Sequence, residues 1–408
     1  MSQQRKTRLC WEGWCYLVVL AFVLGGAILR EVNLLFVLAG MLAGPMVLSL
    51  RTVMKMLRGL KIERTMPQGV CAGDPLVINL ELVNTRHRVG SFAVVVEERI
   101  EQKTRSNEKN RKLVDTHEVY FPYVPAGKSR QQVYRGRLAR RGRYSVGPVR
   151  ISTRFPFGLV RRTVTVGEAD SLLIYPKLGR LTRRWAARQY ESFEGPQQQR
   201  QRYHRAEGEY YGVREWRGGD SLRSIHWRSS ARRGHIVVRQ FEQPHTRDLM
   251  LLVDLWRPDV ATAADLENVE KVVSFAATVV VETCRQGGSN FLLGTTAERP
   301  LCVCGPATMT LAQEAMEQLA VAQADSKDLL ARLFEEVADR IDLSAEVVLV
   351  STRSIDLMGD ERLAGLWNTA ARRALLRRIQ VVSTSNGGDM EDDRPMLQKN
   401  LAEYFETL

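Results

Sequence analysis

The chain has 408 residues, and 59 lysines and arginines against 46 aspartates and glutamates give a formal net charge of +13. Its six cysteines (Cys10, Cys15, Cys71, Cys284, Cys302 and Cys304) are scattered, which argues against a disulfide framework or a zinc ribbon and fits free thiols in a reducing compartment. No internal repeat of solenoid length is visible, and the basic excess suits an anionic membrane face; nucleic-acid recognition would call for aromatics interleaved with basic residues in a recognisable module.

Two apolar runs open the chain, Trp14 to Leu29 and Leu34 to Leu50, with only Arg30, Glu31, Val32 and Asn33 between them. With their flanks, each approaches the ~17–25 residues that cross a bilayer. The short connection predicts a helical hairpin, and the second run argues against a cleaved signal peptide. Arg5, Lys6 and Arg8 precede the pair; Arg51, Lys55, Arg58, Lys61 and Arg64 follow it. Positive charge at both outer flanks predicts a two-helix inner-membrane protein with both termini cytoplasmic, and Trp11, Trp14 and Tyr16 suit the interface.

Residues 61–178 read as β. VINLELV (77–83) and FAVVVEE (92–98) have strand length and pattern, and Gly, Pro and Asn turns separate the candidates. Gln102 to Lys112 is expected to be a charged hairpin loop. Many short strands without a helical period predict an antiparallel β-sandwich. Residues 179–213 are rich in Gln and Arg, poor in aliphatics, and read as a polar arm or linker.

From Leu249 the pattern is α/β. LMLLVD (249–254) is apolar throughout, as a strand covered on both faces should be. A helix is expected from about Asp265, with Leu266, Val269, Val273, Ala276, Val280 and Cys284 on one face and Gly287-Gly288 as its stop. FLLGTT (291–296) and LCVCG (301–305) read as strands. Helices at 308–322 and 326–341, the latter capped by Ser326, precede a strand at 346–351. A helix at 360–378 and a strand at 379–384 complete the pattern. The alternation predicts a parallel sheet with helices on both faces. Residues 387–408 are expected to be a tail.

Between arm and sheet lies the segment 208–243. It holds Arg214-Glu215-Trp216, Gly219-Asp220, Ile225-His226-Trp227, Ser230-Ala231-Arg232, Gly234 and Phe241-Glu242. This order resembles the signature of the bacterial family known as domain of unknown function 58, with Trp216 where a Tyr is usual. The resemblance extends to the hairpin, to Arg140-Arg141-Gly142-Arg143-Tyr144, to Phe155-Pro156-Phe157-Gly158-Leu159 and to the α/β end. It implies an accessory role in assembly or maturation of other proteins, with a MoxR-type AAA+ ATPase as a candidate partner, and no established reaction.

The residues themselves leave two readings of the segment. Arg214, Trp216, Gly219, Asp220, Arg223, His226, Trp227, Arg228, Ser230 and Arg232 can form a structural clasp of Arg–Asp pairs and Trp packing. They can instead form, between Arg214 and Arg233, the basic site of an enzyme or binding protein for a phosphorylated or otherwise anionic ligand, or a surface for an acidic partner or nucleic acid. His226 has no Ser or Cys marked as its partner, so no catalytic role is assigned to it.

The α/β end resembles a von Willebrand A fold. Metal-binding members carry Asp-x-Ser-x-Ser after the first strand; here the positions read Asp254-Leu255-Trp256-Arg257-Pro258, with Ser351-Thr352-Arg353-Ser354 after a later strand and no carboxylate there. The site is degenerate, and Asp254 is expected to pair with an arginine rather than hold a metal. No glycine-rich phosphate loop or catalytic triad is present.

The expected whole is an α+β multidomain protein. A transmembrane hairpin (1–60) precedes a β-sandwich (61–178) and a polar arm (179–213). The signature segment with a von Willebrand A-like domain (214–386) and a tail (387–408) follow. The expected function is that of a membrane-anchored cytoplasmic scaffold without enzymatic activity, metal or cofactor, whose partners are the bilayer and proteins and not nucleic acid.

Overall fold

The computed structural model describes residues 5–67, 69–103, 114–191, 210–217, 225–241, 248–296, 301–338, 345–355, 357, 379–384 and 398–407. The chain divides into two compact units, Met1–Lys177 and Leu178–Leu408.

The first unit begins with strand β1 (Arg5–Leu9) and two helices, α1 (Trp11–Arg30) and α2 (Asn33–Met56). Both helices are long and apolar enough to cross a membrane, and most of their surface is exposed. Glu31 turns between them in the left-handed conformation at φ 50°, and the Tyr16 hydroxyl donates across the pair to the Leu42 carbonyl at 2.7 Å. Strands follow: β2 (Leu60–Thr65), β3 (Val70–Cys71), β4 (Pro75–Asn84), β5 (Ser91–Gln102), β6 (Val114–Val124) and β7 (Ser129–Arg137). Then come β8 (Gly142–Val146), β9 (Val149–Thr153), β10 (Val160–Val166) and β11 (Asp170–Tyr175).

β2, β4 and β7 make a three-stranded antiparallel sheet. The other strands make an eight-stranded sheet in the order β1-β10-β9-β5-β8-β11-β3, with β6 also paired to β5. Leu76, Ile78, Leu80 and Leu82 alternate inward along β4 and share one hydrophobic core with Val94, Val96 and Ile100 of β5 and with Tyr144 and Ile174. Of the hairpin loop expected at Gln102 to Lys112, Gln102 ends β5 and residues 104–112 lie outside the described residues; β5 and β6 pair in register, Glu101 opposite Val114.

A polar knot is buried between these sheets. The fully buried Glu98 accepts from the Arg64 guanidinium and the Tyr134 hydroxyl, and Arg64 also reaches Asp170. Burial works against the Arg64 charge; the carboxylates of Asp170 and Glu98 outweigh it and hold the pKa above its ordinary value.

In the second unit β12 (Arg180–Leu181) and α3 (Arg183–Glu191) occupy part of the stretch expected to be an arm. Trp185 makes this possible: it is buried edge-on against Phe275 and Tyr404. β13 (Tyr210–Glu215), α4 (Trp227–Arg233) and β14 (Val237–Phe241) come next, with β13 and β14 paired antiparallel.

A six-stranded sheet forms from β15 (Leu249–Asp254), β16 (Asn290–Thr295), β17 (Leu301–Pro306), β18 (Glu346–Ser351), β19 (Gln380–Ser383) and β20 (Gln398–Asn400), in the order β17-β16-β15-β18-β19-β20. Helices α5 (Ala263–Gln286), α6 (Met309–Val321) and α7 (Leu330–Ala338) accompany it. Thr262 and Asp265 close a capping box at the start of α5.

Four expectations are corrected here. The sheet is mixed, because β17 runs antiparallel to β16; residues 296–300 are too few for the dozen or so that a parallel crossover needs. Ser326 does not cap α7: the chain is still extended at Asp325, bridged to Trp256, and Asp328 accepts from the Leu330 amide instead. Leu266 is exposed rather than on the buried face of α5. Residues at the chain's end are structured: β20 extends the sheet beside β19, and β21 (Phe405–Glu406) pairs with β12, with Tyr404 and Phe405 buried. The helix expected at 360–378 lies outside the described residues.

Candidate functional site

The signature segment builds a small hook. His226 precedes α4, and its Nδ1 accepts from the Ser229 amide at 3.2 Å, so the imidazole serves as the helix cap. Its amide donates to the Val237 carbonyl at 2.9 Å. Ser230 is buried, and its hydroxyl accepts from the Val237 amide at 3.0 Å and lies 3.2 Å from the His226 carbonyl. Gly234 ends the helix in the left-handed conformation at φ 72°, which a glycine adopts without cost. Ile225 bridges to Val238, and the Trp216 amide donates to Ile236. One serine and one histidine thus lock the helix to β14.

The large side chains point elsewhere. Trp227 is 68% exposed and Trp216 39%. Arg228, Arg232 and Arg233 are exposed, and the last two sit in the final turn of α4, where positive charge suits the helix dipole. Trp227 therefore does not pack as the first of the two readings above expects: a seven-residue helix has one inward face, and Ser230 takes it. Gly219, Asp220 and Arg223 lie outside the described residues. Arg214 lies on β13, half-buried, and donates to the Glu215 carbonyl.

Residues 212–386 match the family described as "Protein of unknown function DUF58". The match takes in this hook and the sheet from β15 to β19. A curated relative, "Uncharacterized protein YeaD" of Bacillus subtilis, is 24% identical over 227 residues, which is 56% of this chain and 54% of the relative. The match thus spans about half of the relative's length. Among solved structures, the sporulation control protein Spo0M of Bacillus subtilis aligns at 10% identity over 34% of this chain and 55% of its own, with a TM-score of 0.20. The alkylpurine DNA glycosylase AlkC of Pseudomonas fluorescens aligns at 14% identity over 38% and 41%, also at 0.20. Scores this low carry no argument about fold or activity.

A second cluster sits at the carboxyl ends of β15 and β18. These neighbours straddle the point where the strand order reverses: from β15 the chain moves to β16 on one side and later to β18 on the other. Clefts at such points are the usual ligand sites of open α/β sheets. Asp254 ends β15 opposite Ser351 and is 2% exposed. Its Oδ2 accepts from the Ser351 hydroxyl at 3.0 Å and from Arg353 Nε at 3.3 Å. Arg353 also donates to Asp328 at 2.7 Å and lies over the Trp256 ring, 5.2 Å from its centroid. Trp256 is fixed by its indole N–H to the Ser326 carbonyl and by its amide to the Thr352 hydroxyl.

Burial pushes the Asp254 carboxyl above its ordinary value, and Arg353 and Ser351 only partly pull it back. Burial also opposes the Arg353 charge, but Asp328 and Asp254 outweigh it and raise that pKa. The guanidinium is thus the fixed charge, and the carboxyl is the group that titrates. The donor set does not fit a hard divalent cation: the single buried carboxylate already holds a cation, and an indole flanks it. No group of three His, Cys, Asp or Glu suited to a metal occurs among the described residues.

Asp254 was legible from the sequence as a carboxylate awaiting an arginine. Arg353 and Asp328 were not singled out. The available signal was Arg353 two residues beyond the end of a strand that neighbours β15.

Proposed function

We propose that this protein is a membrane-anchored scaffold that acts by binding other proteins, without catalysis. The observation that carries the reading is the outward face of α4, where Trp227 and three arginines stand exposed on a hook held by Ser230 and His226. Arginine and tryptophan are the residues that dominate protein interfaces, and so exposed a tryptophan contributes little to folding. The partner face is acidic. A MoxR-type AAA+ ATPase is the partner that the family resemblance suggests, and the process would be assembly or maturation of another protein.

The finer architecture belongs to the same reading. The two sheets of the first unit are taken as a β-sandwich beside the membrane. The six-stranded sheet is taken as a von Willebrand A-like domain in which Arg353 replaces the metal. The α1–α2 pair is taken to span the inner membrane with both ends cytoplasmic, supported by the basic residues on either side.

The test is a photocrosslinking amino acid at position 227 in the native membrane. The proposal expects a discrete protein adduct that disappears on Arg228→Glu with Arg232→Glu, while the melting temperature of the chain is unchanged. Saturable binding of a small phosphoanion that protects position 227, with no protein adduct, would overturn it in favour of an anion site. Salt-sensitive crosslinking to unrelated nucleic acid would overturn it in favour of nucleic-acid binding.

A further inference from the structure

A group of arginines at the foot of the helical hairpin carries a further inference. Arg162 lies on the inward face of β10, between the buried Val160 and Val164, and is only 8% exposed. Its Nε has no hydrogen-bond partner among the described residues. Buried guanidiniums are ordinarily paired, because an unmatched buried charge is costly.

Two further arginines approach it. Thr7 of β1 is opposite Arg162, which places Arg5 on the same face as its diagonal neighbour. α2 packs against β10, and Arg58 follows just beyond the end of α2, exposed. Burial lowers the Arg162 pKa, and the charges of Arg5 and Arg58 lower it further, so each of them repels Arg162. Neither β1 nor β10 contains an acidic residue. The carbonyls of Lys55 and Met56 at the end of α2, which could have served as acceptors, are taken by Arg86.

The position of the group says what would neutralise it. It lies where α2 ends, and the same edge of the sheet meets the start of α1 through the Cys10 amide, which donates to the Leu159 carbonyl at 3.0 Å. Trp11 and Trp14 stand exposed in the first turn of α1. In a spanning hairpin this is the depth of the lipid headgroups, where indoles concentrate.

We propose that Arg162 and Arg58 form a site for the phosphodiester of an anionic phospholipid headgroup. The proposal rests on the spanning reading of α1 and α2. The lipid phosphate supplies the acceptor that Arg162 Nε lacks among the described residues and fixes the first unit against the membrane surface. Arg162 is the deep donor; Arg58 closes on the phosphate from the rim.

The experiment uses the full chain in mild detergent, titrated with phosphatidylglycerol, phosphatidylcholine or inorganic phosphate, and read by native mass spectrometry and thermal melting. Saturable binding of phosphatidylglycerol in preference to phosphatidylcholine is expected. Arg162→Gln and Arg58→Gln should each weaken it about fivefold, the loss of one arginine–headgroup interaction. Without lipid, Arg162→Gln should melt no lower than the wild type, because an uncompensated charge has been removed. Equal binding of the two lipids, or an unchanged preference in exposed Arg58→Gln, would overturn the site. Phosphate that protects as well as the lipid would overturn the lipid as its occupant. Carbonate extraction of native membranes separates the two layers of the argument: release of the chain with lipid preference intact refutes the hairpin and leaves the site, whereas retention without preference does the reverse.

Discussion

Replacing Arg353 by alanine tests the strand-end cluster. The substitution removes the only cation within hydrogen-bonding distance of Asp254 among the described residues and leaves that carboxylate the Ser351 hydroxyl alone. Breaking a buried pair by deleting one partner costs about 3–5 kcal/mol. Arg353 is 23% exposed, so the lower end, about 3 kcal/mol, applies at neutral pH. For a unit of this size that is roughly 6–12 °C in melting temperature.

The pH dependence gives a second check. Because the folded state raises the Asp254 pKa, stability falls as pH climbs from the ordinary value of 3.8 through the raised one, then levels off. Deleting Arg353 raises the folded value further and lengthens that fall. The deficit of the variant should therefore be smaller at about pH 4, close to the ordinary carboxyl value, than at about pH 8. Thermal melts of the detergent-solubilised full chain at the two pH values measure it. A variant that matches the wild type at both, or whose deficit is greater in acid, would refute the pairing argument.

Other outcomes follow from the same structure. Tyr134→Phe removes a hydrogen bond to the buried Glu98 carboxylate and should cost about 1.5–3 kcal/mol by thermal or urea melts, with the effect confined to the unfolding of the first unit if the two units melt separately. Ser230→Ala strands the Val237 amide and should cost about 1–3 kcal/mol, whereas exposed Trp227→Ala should stay within about 0.5 kcal/mol; the reverse order would mean that the hook is held by its tryptophan. Mg²⁺ or Mn²⁺ should leave the melting temperature of the wild type unchanged, since Arg353 already holds the strand-end carboxylate, and a saturable rise lost in Asp254→Ala would contradict this.

Periodicity made much of this fold readable. The all-apolar LMLLVD, the alternation along β4 and the Gly287-Gly288 stop after α5 are local patterns with one physical solution each. What escaped is held by pairings distant in sequence. Trp185 looks like one aromatic in a polar stretch until Phe275 and Tyr404 are brought beside it. The end of the chain is rich in charge, yet its two aromatic residues anchor a strand pair. The direction of β17 was within reach, because the connection before it is too short to cross the sheet. For the candidate site, the sequence marked the hook residues and Asp254 but not which way they face. Trp227 reads as core by composition and is exposed, because a helix this short offers one inward position. Arg162 sits in a run with Arg161, and only the register of β10 puts one of the two inside.

The proposed function depends on a hairpin that holds the rest of the chain at the cytoplasmic face of a membrane. Paired reporters test it most directly: a fusion at Leu408 to a reporter active only in the cytoplasm, and the same fusion to one active only across the membrane. The account predicts activity from the first and none from the second, with an enzyme tag inserted at Glu31 giving the opposite pattern. Activity of the Leu408 fusion across the membrane would contradict the orientation and the choice of partner.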